Sequence, residues 1–290
     1  VVTPARRFSS YLYNHTKARL GLLVSAPALW LGLVYVAALL MLLITAFWAV
    51  DEYTGDTKVV WNLDNIVSLF TDSLYSTVTL RTIGIALAVT AIDVLLALPI
   101  AFFMSKVAGP KLANVLAISV LLPLWASYLV KAYAWRSVLS DKGALQWLLE
   151  PFGAHTPGYS LFGAAMTLGY MWLPYVILPI YAGLEKVPAN LLEASSDLGA
   201  NTFTTIRRVV LPLVTPSIIA GSIFAFSLTL GDYITINIVG GANQMLGNLI
   251  YTNVGTANNL PMASALALIP IAIMFVYLGA VKRTGALNNL

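Results

Sequence analysis

The chain is predicted to be an all-α membrane protein with six transmembrane helices, on three observations. Of its 290 residues 59% are hydrophobic and only 10% are charged, with a mean hydropathy of +0.83. A soluble globular domain carries roughly 25% charged residues. Apolar runs recur that can cross a bilayer, each needing about 20 residues for a hydrocarbon core of roughly 30 Å. The Lys and Arg residues collect in alternate connections between those runs. A membrane β-barrel would instead show alternating segments of about ten residues. There is no cysteine, which excludes disulfides and thiolate metal sites.

The six spans are expected at about residues 20–50, 76–104, 112–139, 159–183, 213–239 and 262–281, all within one domain, 1–290. The first follows a basic lead of Arg6, Arg7, Lys17 and Arg19. It is too long for a signal-peptide core and lacks a small-x-small cleavage site, so a retained helix is expected. Residues 51–75 are rich in Asp, Thr and Asn, and residues 140–158 carry Gly and Pro. A basic turn at 106–111 includes the helix breaker Gly109-Pro110. Residues 240–261 form a Gly/Asn-rich loop.

Orientation follows from the basic residues. One set of connections holds Arg6, Arg7, Lys17, Arg19, Lys106, Lys111, Lys186, Arg207, Arg208, Lys282 and Arg283, whereas the other holds only Lys58 and Lys142. Both termini and the loop 185–212 are therefore expected in the cytoplasm. Every outer loop is short, and neither a Walker A glycine loop nor a His/Glu metal cluster is present. His15 and His155 stand far apart in polar stretches. With no means of hydrolysing ATP, any uphill transport would draw its energy from a partner.

The loop 185–212, EKVPANLLEASSDLGANTFTTIRRVVLP, is the one long polar, helix-forming segment between apolar spans. Pro188 suits a first helical turn. Leu191, Ala194 and Leu198 then make an apolar stripe at helical spacing, bordered by Ser195. Glu193 and Asp197, four residues apart, share another flank. Gly199 is placed to end the helix in a left-handed conformation, and a second helix is expected to start at Asn201 or Thr202. That helix carries Arg207 and Arg208 before Leu211-Pro212 leads into span five. Such a pair of helices suits docking into a groove on a cytoplasmic partner; a solvated hairpin with no partner is the alternative.

Glu193-Ala194, Gly199 and the Leu211-Pro212 ending resemble the EAA signature of type I ABC importer permeases. Ser195 stands in place of the motif's second Ala and Val209 in place of its Ile. The resemblance covers nearly the whole chain. It implies that the first loop helix is a coupling helix and that Pro188, Leu191, Glu193, Ala194, Asp197, Leu198, Gly199, Arg207, Arg208 and Pro212 meet an ATPase. It also implies a second permease subunit, two ATP-binding subunits that hold ATP and Mg, and an extracytoplasmic binding protein. The chain itself would then be a non-catalytic, multi-pass subunit of the plasma (inner) membrane, with no cofactor or metal and no nucleic-acid partner. Leu122-Pro123-Leu124-Trp125, the run Tyr128-Leu129-Val130-Lys131-Ala132-Tyr133, Leu139-Ser140-Asp141-Lys142-Gly143, Gly231-Asp232-Tyr233 and Gly240-Gly241 look like the spermidine/putrescine branch. Aminophosphonate and other small-solute permeases are similar. An autonomous secondary transporter or channel would favour inverted repeats and midplane charges, of which only Asp93 fits.

Ionisable residues within spans are costly and usually face the bundle interior. Here they are Arg81, Asp93, Lys131, Arg136 and Asp232. Counting about 1.5 Å of rise per residue puts Asp232 and Lys131 at one height near the outer end, and Asp93 deeper. Asp232 is read either as a structural carboxylate paired with Lys131, Arg136 or Arg81, or as a contact for a cationic substrate. Ser222, Thr229 and Asp232 share a helical face, as do Tyr128, Lys131 and Trp135. An aromatic wall could hold an ammonium group, although Lys131 would repel it, and interfacial packing explains the same Trp and Tyr residues. Asp93 is read as an inter-subunit contact or a pathway residue.

Overall fold

In a computed structural model of the chain, residues 13, 15–51 and 53–283 are described, so Arg6 and Arg7 of the basic lead lie outside it. Helix α1 (Thr16–Thr45) is followed by a short antiparallel pair, β1 (Ala49–Val50) with β2 (Thr57–Lys58), in register Ala49 to Lys58. The first span thus stops at Thr45, not at residue 50. Lys58 Nζ lies 2.5 Å from Asp51 Oδ2 across this hairpin. That ammonium, with the Tyr53 amide, holds the Asp51 carboxyl below the usual carboxylate range. Helix α2 (Asp64–Thr71) then leads to α3 (Ser73–Phe102), which is capped by the Asp72 carboxylate accepting from the Leu74 amide and continues as a π-helical turn, Phe103–Val107.

The third span is not one helix. Helix α4 (Pro110–Trp125) and helix α5 (Tyr128–Leu139) meet at 96°. Ala126 and Ser127 are extended there, with ψ near 138° and 142°. A straight helix over residues 112–139 would measure about 42 Å at about 1.5 Å per residue, more than the roughly 30 Å of a hydrocarbon core. The bend resolves that excess. Helix α6 (Ala144–Leu149) and a 3-10 turn (Glu150–Phe152) precede α7 (Leu161–Glu185), started by Ser160 accepting from the Gly163 amide.

Helix α8 (Ala189–Asp197) stands alone in the polar loop. From α9 (Thr202–Thr205) the chain runs through a second π-helical stretch (Ile206–Val210) into α10 (Leu211–Leu230). These form one candidate span, Thr202–Leu230. The expected second loop helix is therefore the start of span five. Pro212 falls in the first turn of α10, where a missing N–H is tolerated, and does not break it. At its other end span five stops at Leu230 instead of residue 239, and α11 (Ile234–Val239) follows as a separate helix. The expected loop 240–261 contains a ten-residue helix, α12 (Leu246–Gly255), before α13 (Leu260–Arg283) closes the fold.

Helices α3, α7 and α10 pack on one another to make the core. Val89, Ala97, Leu168, Met171, Val176, Ile180, Val214 and Ala225 are buried between them. A second cluster lies around Ala46, Leu69, Val78, Leu246, Leu249 and Leu266, tying the end of α1 to α2, α12 and α13. No residue of Arg19–Thr45 is buried. An apolar helix exposed all round is expected to be covered by lipid or by another membrane subunit.

Candidate functional site

Two regions hold most of the residues singled out from the sequence, one in the polar loop and one where α5, α7 and α11 converge, while Asp93 lies apart on α3. In the loop, Pro188 is extended (φ −66°, ψ 139°) and caps α8 instead of lying in its first turn. Lys106 Nζ donates to the Val187 carbonyl at 2.8 Å and ties the loop's root to the end of span two. Gly199 has φ +77°, the left-handed conformation expected of it. The Asn201 side chain accepts from the Thr204 amide at 2.8 Å and starts the next helix.

Helix α8 does not bury its apolar stripe. Leu192 and Ser195 turn inward, and Ser195 Oγ lies 2.9 Å from Thr205 Oγ1, fastening α8 to the root of span five. Leu191, Glu193, Ala194 and Asp197 are exposed, Leu198 is 89% exposed, and Phe203 beyond the turn is 70% exposed. Arg207 and Arg208 are exposed too. An open cleft of about 520 Å³ runs between the two helices, lined by Leu191, Leu198, Asn201 and Arg208 among others. The exposed surface thus combines apolar Leu191, Ala194, Leu198 and Phe203 with charged Glu193, Asp197, Arg207 and Arg208. Phe203 was not singled out from the sequence, where it reads as one residue of a polar run.

At the other end, Asp232 is buried, but not by an ion pair. Tyr128 Oη donates to Asp232 Oδ2, and the Thr235 amide donates to Oδ1 at 2.9 Å. The Thr235 hydroxyl lies 3.3 Å from Oδ2 and 2.6 Å from Tyr128 Oη. Among the described residues Asp232 makes no salt bridge. Arg136 donates to the Ile238 carbonyl at 3.0 Å and covers the Tyr159 ring at 5.0 Å, while Arg81 donates to the Gln244 carbonyl at 3.3 Å. Lys131 is buried on α5 without reaching the carboxylate. The expected pairing with Lys131, Arg136 or Arg81 is therefore replaced by hydroxyl and amide donors. Height counted along straight helices misled, because α5 turns away by 96° and Asp232 lies beyond the end of α10.

Tyr128 stacks on Trp172 of α7, with centroids 5.8 Å apart. Trp135 packs on Tyr170 at 5.4 Å, away from the carboxylate. Thr229 is fully buried, and its hydroxyl has no hydrogen-bond partner among the described residues. Ser222 bonds Tyr277 at 2.8 Å and does not join Asp232. Thr235 and Trp172 were missed from the sequence. The Asp232-x-x-Thr235 spacing is a helix-start signal that could have found the first; nothing local marks the second.

Gly247 presses against the same site. A Cβ there would meet the Asp232 carbonyl, 2.7 Å from its carbon and 2.9 Å from the Gly231 oxygen. These are backbone atoms that cannot swing aside. Gly247→Ala is expected to displace α12 and lower the thermal midpoint of the purified chain; an unchanged midpoint would show that the Asp232 turn gives way freely.

Asp93 is fully buried on α3, close to α7, where a Cβ at Gly169 would lie 3.2 Å from its Oδ1. Neither carboxyl oxygen has a hydrogen-bond partner among the described residues, so in this structure it faces helix packing and no open pathway. An unpartnered buried polar group costs about 1–3 kcal/mol. Asp93→Val is expected to raise the thermal midpoint, and a lower midpoint would mean that the carboxyl is held by an interaction the packing does not reveal.

The chain matches the family "Binding-protein-dependent transport system inner membrane component" over residues 4–283. It is 41% identical to the "Inner membrane ABC transporter permease protein YdcU" of Escherichia coli (strain K12), over 98% of this chain and 95% of that one. It is 32% identical to the "Spermidine/putrescine transport system permease protein PotB" of the same organism, over 90% of this chain and 95% of that one. Its fold is similar to a chain in the crystal structure of a bacterial ABC transporter involved in the import of the acidic polysaccharide alginate. That match has a TM-score of 0.69 at 17% identity and covers 96% of this chain and 99% of the other. Bundle, bent third span and protruding loop helix thus accompany a family match over nearly the full length, and the chain belongs to the inner-membrane permease components of binding-protein-dependent ABC importers.

Proposed function

We propose that this permease subunit forms half of the translocation path for a polyamine, spermidine or putrescine, delivered by an extracytoplasmic binding protein. A second permease subunit supplies the other half. Two separate ATP-binding subunits hold ATP and Mg and dock on α8, whose motion on ATP-driven closure rocks the bundle. Both termini lie in the cytoplasm, by the distribution of Lys and Arg. The observation that carries the coupling reading is the outward-facing stripe Leu191–Ala194–Leu198 with Phe203, an apolar surface on a charged loop that none of the described residues covers.

The polyamine reading is supported by the spermidine/putrescine permeases among the relatives and by a buried carboxylate that no basic side chain among the described residues neutralises. Reconstitution with the binding protein, the second permease and the ATPases tests it. Spermidine or putrescine uptake is expected only with ATP and the ATPases present. Uptake by vesicles lacking any ATPase would overturn the coupling reading in favour of an autonomous transporter. ATP-driven uptake of an aminophosphonate but of neither polyamine would overturn the choice of solute alone.

A further inference from the structure

Four aromatic rings form an unbroken series from the exposed surface of the bundle to Asp232. Phe224 on α10 is 49% exposed and lies 6.5 Å, centroid to centroid, from the half-buried Tyr175 on α7. Tyr175 meets Trp172 edge-on at 6.0 Å, and Trp172 stacks on Tyr128 at 5.8 Å. Tyr128 is hydrogen-bonded to the Asp232 carboxylate. Trp172 is 7% exposed and Asp232 6%, with Tyr175 and Tyr128 half-buried on either side of the indole. The Trp172 indole N–H has no hydrogen-bond partner among the described residues, so its ring is held by apolar packing and stacking.

We propose that Phe224, Tyr175, Trp172 and Tyr128 are a binding track for organic ammonium groups, with Asp232 as its anionic end; this rests on the polyamine reading above. An ammonium group is attracted to an aromatic ring within about 6 Å of its centroid. Centroid steps of 5.8, 6.0 and 6.5 Å let a cation leaving one ring come within reach of the next. The nearby basic residues do not close the track. Arg136 is engaged by Ile238 and Tyr159, Arg81 by Gln244, and Lys131 makes no ion pair with the carboxylate. Phe224 is the exposed end of the track, and Trp172, the buried ring within it, is the drier setting where the attraction is stronger. A neutral or anionic solute would gain nothing from such a series.

The test uses the complete importer in vesicles, with radiolabelled putrescine delivered by the binding protein. Phe224→Leu keeps an apolar side chain at an exposed position and removes the ring; Phe224→Trp keeps a ring. The leucine variant is expected to transport putrescine about ten-fold more slowly, with the tryptophan variant within about two-fold of the parent. Both are expected to assemble with the ATPases and to retain ATPase stimulation by the binding protein. Undiminished transport by Phe224→Leu and Tyr175→Leu would overturn the track and leave the solute reading standing. Equal losses in the leucine and tryptophan variants would also overturn it, since shape and not the ring would then matter. A parent complex that imports another solute but neither putrescine nor spermidine would overturn both readings together.

Discussion

Leu198→Asp is expected to uncouple the importer while leaving this chain folded. Leu198 ends α8 at 89% exposure, so its side chain contributes almost nothing to the packing of the subunit. On the proposed coupling route its role is to touch the docked ATPase. A truncated anchor at the centre of an interface commonly costs about 2 kcal/mol or more, roughly a thirty-fold loss of affinity. A carboxylate forced into an apolar groove costs more, because it must be desolvated. Binding-protein-stimulated ATPase activity and uptake should both fall by at least about thirty-fold, with an unchanged thermal midpoint for the isolated chain. The charged residues offer a control: Glu193→Gln and Arg207→Gln, at exposed positions, should each do far less damage. Full stimulation in Leu198→Asp would remove α8 from the coupling route.

Asp232→Ala has the second large expected effect, through stability. The carboxylate accepts from Tyr128 Oη and from the Thr235 amide, with the Ile236 amide at 3.4 Å, and all of this is buried. Removing it leaves the Thr235 and Ile236 amides of α11 without this acceptor and Tyr128 Oη with only the Thr235 hydroxyl as partner. The expected loss is about 2–4 kcal/mol, since each buried donor left unpaired costs about 1–3 kcal/mol. Asp232→Asn should be intermediate, since a carboxamide oxygen can still cap α11 but presents one acceptor atom where the carboxylate presents two. Comparing thermal midpoint with uptake separates two roles. If Asn keeps the fold and loses putrescine transport, the charge meets the solute; if both variants melt early and the surviving fraction transports normally, Asp232 is a structural clasp.

Much of the architecture was legible because a bilayer imposes a length and an apolar composition on each helix, and both are written locally. Residues 76–104 and 262–281 each fall within one continuous helical stretch, and 159–183 does so from Leu161 onward. The expectations failed where a long apolar run does more than cross. Residues 112–139 bend at Ala126–Ser127, and residues 213–239 stop at Gly231 so that Asp232 can turn the chain. Apolar residues resume directly after each break, so periodicity alone does not mark them. The loop was legible for similarly local reasons: the left-handed Gly199 and the Asn201 cap act on their own neighbours. Which way α8 faces was not, since burying Ser195 and exposing Leu198 depends on Thr205 across the turn. The partners of Asp232 were hidden for the same reason: Tyr128 lies 104 residues away in the chain.

The central claim is that α8 and the turn after it are the surface through which a separate ATPase drives this subunit. The chain has no cysteine, so Leu198→Cys introduces a unique thiol at an exposed position. In the assembled importer, paired with single cysteines along the groove of the ATP-binding subunit, it should form a cross-link whose yield changes between the nucleotide-free and ATP-trapped states. A cysteine in place of Lys142, in the loop that charge distribution puts on the opposite side, should give none. No cross-link from position 198 in either state, in complexes that still hydrolyse ATP and transport, would contradict the account.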